Sequence, residues 1–190
     1  MTSRSRLSHV LARTSRTVLA LTLLWSTLSG RMARAESVFP VASGHNLNGG
    51  AVAIPRDLKG STNLVYVAFL PDQQAAVDSW QPFAAEMTRR YPDFHAYQLP
   101  IISNGYTFFR GYLDSIMRGA IPDTAARAST ITLFVDKRAF DRALGIASER
   151  EISVFLITPR GEILWRTTGA FDASHPPDIA GLVARASPAR

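Results

Sequence analysis

The stretch that most limits what this chain can become is Leu64 to Phe69, Leu-Val-Tyr-Val-Ala-Phe, which runs on into Leu70-Pro71-Asp72-Gln73-Gln74. A near-continuous apolar run has no polar face, so as a strand it belongs in a sheet covered on both sides. Pro71 ends the run, and Asp72 stands where a following helix would be capped. In α/β domains the end of such a strand, facing a helix N-terminus, is where chemistry is placed. Here that position offers Asp72, Gln73 and Gln74. All three can hydrogen-bond; none is a nucleophile or a thiol.

The pattern around this stretch alternates. A Gly- and Asn-rich segment from Val38 to Gly60 reads as a β-hairpin or extended arm. Its turn is Asn46 to Gly50, flanked by Val38-Phe39 and by Ala51 to Ile54. From about Asp72 to Tyr91, Ala76, Val77, Trp80, Phe83, Ala84 and Met87 recur at helical spacing, with Pro82 kinking or splitting the helix. Phe94 to Ile102 reads as a strand interrupted at Pro100. A second helix, about Tyr106 to Arg118, lines up Phe108, Phe109, Tyr112, Leu113, Ile116 and Met117 as a packed face, with Gly119 as its stop. Pro122-Asp123 opens a short turn through Ala126. Ile131 to Val135 is a strand, Arg138 to Leu144 a short helix closed by Gly145, and Ile152 to Ile157 another strand. A turn at Thr158 to Gly161 leads into a last strand from Glu162 to about Arg166. The C-terminal helix covers Pro176 to Ala186, and Ser187 to Arg190 are expected to fray. A β-arm followed by β-α-β-α-β-α-β-β-α implies an α/β fold, a mixed sheet with helices on both faces.

The chain has 190 residues and a formal charge of +6, which raises the question of nucleic-acid binding. The charge is not spread evenly. Residues 1–35 hold six arginines and no acid, while the other 155 hold 15 basic and 15 acidic residues. The domain after the leader is therefore neutral, and a nucleic-acid partner is not expected. The leader has a basic segment, an apolar run from Val18 to Leu28, and the small-residue triplet Ala33-Arg34-Ala35. That is a secretory layout with the mature chain starting at Glu36. The apolar run, about eleven residues, is short of the roughly 20 that a spanning helix needs. An uncleaved membrane tether through residues 18–28 and a mitochondrial-type presequence are the alternatives. Residues 36–190 read as a single domain in the periplasm or outside the cell.

There is no cysteine. Disulfides, thiol catalysis, thiol redox chemistry and thiolate metal sites are all excluded. His9, His45, His95 and His175 fall in separate elements without metal-ligand spacing, so no metal or other cofactor is expected. No nucleophile elbow, dinucleotide fingerprint or phosphate loop is present.

The element order, a βαβ half followed by a ββα half, resembles the thioredoxin-like fold. Two stretches carry the resemblance. Asn48-Gly49-Gly50 through Gly60 is similar to the arm before the first core strand in peroxiredoxin-like and secreted thioredoxin-like proteins. Val154 to Arg166, then Gly169, is similar to the closing hairpin before the last helix. Ser79-Trp80-Gln81-Pro82-Phe83 and Met117 to Asp123 resemble the thioredoxin-like mitochondrial ATP-synthase assembly factors and their bacterial relatives. The resemblance implies a three-layer sandwich over about Glu36 to Ala186, with protein partners that are membrane-complex subunits. It also locates what is missing. Where active relatives carry Cys-x-x-Cys the chain has Asp72 to Val77, and Ile152 stands where they carry a cis-proline.

The residues through which such a scaffold would bind are Asp72, Gln73, Gln74, Trp80, Arg110, Ile152 and Trp165. Each also has a structural role to weigh. Asp72 would cap the helix while the two glutamines stay solvated, and Trp80 and Phe83 would pack in the core. Arg110 and Arg118 flank Asp114 at helical spacing and would form a surface ion pair. Asp136-Lys137-Arg138 would start a helix. Trp165 would face outward as a binding residue. Three functions remain: a redox-inactive binding or assembly protein, an enzyme or small-molecule carrier with a non-thiol site at Asp72, Gln74, Arg110 or Asp136, and a stress-response protein with no single partner.

Overall fold

The computed structural model describes residues 38–174 and 176–186. The leader, His9, His175 and Ser187 to Arg190 lie outside the described residues. Seven strands form one mixed sheet in the order β2-β1-β5-β4-β3-β6-β7. They are β1 (Ala42–Asn46), β2 (Ala51–Ile54), β3 (Thr62–Ala68), β4 (Phe94–Ser103), β5 (Ile131–Val135), β6 (Ser153–Ile157) and β7 (Ile163–Thr168). β3, β4 and β5 run parallel, while β6 and β7 on one side and β1 and β2 on the other add antiparallel edges. This is the mixed sheet with an N-terminal arm that the sequence implies.

β3 is buried along its whole length because alternate side chains feed two cores. Val65 and Val67 join Phe39, Ile54, Leu58, Tyr97, Leu99, Leu133, Phe140 and Leu144 on one face. Leu64, Tyr66 and Ala68 join Val77, Trp80, Met87, Phe94, Ile179 and Val183 on the other. The second core is roofed by α1 (Gln74–Ser79), α2 (Gln81–Arg90) and α6 (Pro176–Ala186), and the first by α5 (Lys137–Leu144) and the N-terminal segment. The helix after β3 is split at Trp80, with Pro82 in the first turn of α2, one of the two outcomes expected of that proline. Trp80 is fully buried, its Nε1–H donating to the Gly169 carbonyl (3.1 Å) and its ring meeting those of Phe83, Trp165 and Phe171.

Four expectations are corrected. The first arm strand is Ala42–Asn46 rather than Val38-Phe39; Phe39 N instead donates to Gly161 O (2.7 Å), fastening the segment to the β6–β7 turn. Pro100 does not interrupt β4. It is the last residue of β4 in register with β3, opposite Ala68, and from Ile101 onward the strand pairs with β5. A missing N–H at that point ends one ladder without ending the strand. Gly119 does not stop the second helix. That segment opens as a 3-10 turn, Asn104–Phe109, continues as α3 (Arg110–Ala120), and ends before Pro122, which disfavours helix in the residue preceding it. The largest departure is that α3 has no buried residue at all, so its apolar set is not a packed face of the core. The short helix that follows, α4 (Thr124–Ser129), is capped by Asp123, whose carboxylate accepts from Ala126 N at 2.9 Å.

The approach of β1 to β5 depends on a glycine. A Cβ on Gly44 would run into the Thr132 carbonyl oxygen, with Leu133 Cδ2 at 2.6 Å. Backbone cannot give way as a side-chain tip can, so Gly44→Ala should cost about 2 kcal/mol or more in chemical denaturation, through the overpacking penalty. Gly111→Ala in α3, where an added Cβ meets nothing within 4 Å, should leave stability unchanged or raise it.

Candidate functional site

The site position is the end of β3, where backbone donors run out of sheet partners. Phe69 N and Leu70 N point past the last rung, and Gln73 reaches back to both. Its Oε1 accepts from Phe69 N (2.8 Å) and Leu70 N (3.2 Å), and its Nε2 donates to the Glu149 carbonyl (2.7 Å) in the loop before β6. Gln73 is buried, although Pro71, Asp72 and Gln74 around it are exposed. The expectations for both Asp72 and Gln73 are therefore corrected. Asp72 does not cap the helix; a 3-10 turn, Pro71–Gln73, starts from Leu70 without a side-chain cap bond. Gln73 is not solvated but clamps the strand end to the opposite loop. Gln74 is tied as well, donating to Asp78 Oδ1 (2.8 Å) and accepting from Gln98 Nε2 (2.8 Å).

Beside the clamp lies a group of charges. Lys137, the first residue of α5, is ion-paired with Glu149, and its Nζ stands 5.2 Å from the centre of the Phe69 ring. Asp141, one turn further along α5, is half-buried and keeps Oδ1 enclosed without a donor. Partial burial, then hydrogen bonding to Glu149 and its charge, push the Asp141 carboxyl up to about 6, while Lys137 opposes the shift. Lys137 was legible only as part of a helix start, and Asp141 and Glu149 were missed. The i, i+4 spacing of Lys137 and Asp141 is the one signal the chain carries for them.

The remaining candidates do not converge on this point. Ile152 is fully buried in the core beneath α1 and α2, and its carbonyl accepts from Gly169 N (2.9 Å). Trp165, expected outside, is half-buried against the same core with its ring 6.2 Å from that of Trp80. Its partners lie in the cross-strand register of β6 and β7, which a single strand's alternation does not reveal. Arg110 turns to the β1 hairpin, with Nη1 3.2 Å from His45 Nδ1, and Arg118 Nε donates to Leu47 O (2.8 Å). Neither arginine forms the expected ion pair with Asp114; each instead bonds an acceptor on the hairpin. Asp136 caps α5, accepting from Ala139 N at 3.1 Å. Among the described residues no group of three or more His, Asp or Glu side chains comes together to hold a metal.

No protein-family model matches the sequence, and no curated protein matches it. Solved structures do. A thiol:disulfide interchange protein from Bacteroides sp. aligns with TM-score 0.51 and 19% identity over 79% of this chain and 88% of that one. BsSco, a member of the Sco family of cytochrome c oxidase assembly proteins, aligns with TM-score 0.52 and 16% identity over 80% of this chain and 94% of its own. The exposed lipoprotein thioredoxin Etrx1 from Streptococcus pneumoniae aligns with TM-score 0.50 and 13% identity over 77% and 99%. At these identities the likeness is one of fold.

Two outcomes test the site. Gln73→Ala strips the partners from two backbone donors and a carbonyl in a buried corner. It should cost about 2–3 kcal/mol in urea denaturation, with faster amide exchange at Phe69 and Leu70. Asp141 binds its proton more tightly in the folded chain than in the unfolded one. Its stabilising contribution is thus complete below the ordinary carboxylate value and is lost as pH rises through about 6. Asp141→Asn should be more stable than the parent at pH 7 by on the order of 1 kcal/mol, an advantage that shrinks toward pH 4.

Proposed function

We propose that this chain, which has a thioredoxin-like fold and no thiol, is an exported binding protein that serves as an assembly factor for subunits of a membrane complex. Without cysteine, neither thiol–disulfide exchange nor thiolate copper delivery is available to it. The observation that carries the reading is the Gln73 clamp. At the point where the fold carries its redox pair, the chain places a buried amide that ties the strand end to the Glu149 loop. That point is sealed as structure, which leaves surfaces rather than a reaction centre for function.

Two surfaces suit a protein partner. Leu70 is exposed at the tip of the central strand, in line with Pro71 and Asp72. β7 and β2 are the outer strands of the sheet, and the free edge of either can take an extended segment by strand addition. The family name carried by BsSco, of which this chain shares the fold, supports an assembly role. The leader supports export, and among the described residues no helix is long and apolar enough to cross a membrane. An uncleaved leader would tether the domain at residues 18–28 and bring it to the same partners.

A second reading, an enzyme or small-molecule carrier with a non-thiol site, draws on the Lys137–Glu149–Asp141 group with its raised carboxyl. Arg110 and Asp136, which such a site would recruit, are engaged elsewhere. Affinity capture of the full chain from a membrane extract separates the two. The assembly reading expects defined membrane-complex subunits to be retained by the parent and lost with Leu70→Asp, whose thermal melt should match the parent. Retention of no subunit, together with a small ligand that the parent binds and Asp141→Asn does not, would overturn it.

A further inference from the structure

The helix that the core does not cover is built in rows. Along α3 the residues four apart form stripes on one side of the helix. Arg110, Asp114 and Arg118 make a charged row. Gly111, Ser115 and Gly119 make a row of small residues. Tyr112 and Ile116, preceded by Phe108 from the 3-10 turn, make a row of large apolar ones. Leu113 and Met117 make the half-buried row that faces the domain. Helical geometry sets the large row beside the small row, and both face solvent.

The exposure of the large row and its neighbours is unusual. Phe108 is 94% exposed, Tyr112 68%, Tyr106 58%, Ile116 54% and Phe109 53%. Side chains of this kind cover about 150–250 Å2 each, so these exposures leave roughly 600 Å2 of largely apolar surface along the 3-10 turn and α3. The small row is the second observation. Glycine in a helix costs about 1 kcal/mol relative to alanine. Nothing within the domain requires it, since a Cβ on Gly111 or Gly119 would meet no atom within 4 Å. The charged row is drawn away from this face. Arg110 and Arg118 bond to His45 and Leu47 on the β1 hairpin, and Asp114 keeps one carboxylate oxygen enclosed.

We propose that this face of α3 is the interface of a two-fold dimer with a second copy of the chain. Placed antiparallel across a two-fold axis, the rows are complementary to themselves. Phe108 meets Gly119 of the second copy, Tyr112 meets its Ser115, and Ile116 meets its Gly111, with the reverse contacts made by symmetry. Large residues four apart lie in the groove over small residues four apart, which is the packing of a close helix crossing. Covering roughly 600 Å2 on each copy removes roughly 1,200 Å2 in total, the lower bound of a standard stable interface. The charge arrangement favours a second copy over a lipid surface. A helix that lies on an anionic bilayer holds its cations free at the flanks of the apolar face, whereas both arginines of α3 are bonded to the domain's own hairpin.

Sedimentation velocity on the full chain over a range of concentrations tests this, together with Ser115→Leu. Leucine is a better helix former than serine and sits at an exposed position, so the melt of the variant should equal or exceed that of the parent. It also fills the groove that Tyr112 must enter. The parent should sediment as a concentration-dependent dimer, and Ser115→Leu should weaken the dimer at least tenfold. The cysteine-free background allows a direct check of register. Tyr112→Cys protein mixed with Ser115→Cys protein should form a disulfide-linked pair on mild oxidation, in higher yield than either protein alone. A parent that is monomeric throughout overturns the proposal. So does a dimer unchanged by Ser115→Leu, or a monomer that floats with phosphatidylcholine–phosphatidylglycerol vesicles and loses them with Phe108→Asp.

Discussion

One side-chain amide, that of Gln73, holds together the junction at the end of β3. β3 is buried on both faces, so its C-terminal N–H groups emerge into a corner where water does not satisfy them. Unpaired, each would cost about 1–3 kcal/mol. Gln73 answers both and, through its other end, anchors the loop that leads into β6. Strand end, helix start and β6 entry are thereby fixed relative to one another. An amide suits the task because it both donates and accepts; a carboxylate could take the two N–H groups but would repel the Glu149 carbonyl.

How much of this the chain discloses follows from whether a feature is local. β5 and α6 have the bounds that the apolar pattern and flanking turns imply, and β3 and β6 lie within a residue or two of theirs. Runs without a polar face can only be buried strands, and α5 closes on Gly145 in the left-handed conformation (φ 64°). Gln73 is legible as a candidate, but its environment is not. Its role depends on the Glu149 loop, which is far away in sequence, and no local pattern reports that contact. Asp72 illustrates the reverse error. The residue type and its place after a proline are right for a cap, yet the helix starts without a side-chain cap bond, and the neighbour one position on reaches back to the strand-end donors instead.

The misreading of α3 has another cause. Helical periodicity shows that one face is apolar; it does not say what covers that face. In α2 and α5 the covering surface is the sheet, and Met87, Phe140 and Leu144 are buried as their spacing implies. α3 lies in the connection between β4 and β5, held at its flank by Arg110 and Arg118 on the β1 hairpin. Those two bonds draw the charged row toward the domain. With Leu113 and Met117 half-buried beside it, the small and the large rows face outward. The arginines expected to make a surface ion pair instead fix which side of the helix remains uncovered.

This orientation has a consequence for the scaffold as a whole. Gln73 occupies the end of β3, and among the described residues most of the exposed large apolar side chains lie on the 3-10 turn and α3, in the β4–β5 connection. A patch of this size marks an interaction surface. Under the functions proposed above, the strand tip at Leu70 and the row face of α3 would let one chain associate with itself and still present its sheet end to another protein. A symmetric pair would carry two such ends, and two weak contacts on one partner complex gain from effective concentration what a single contact lacks in area.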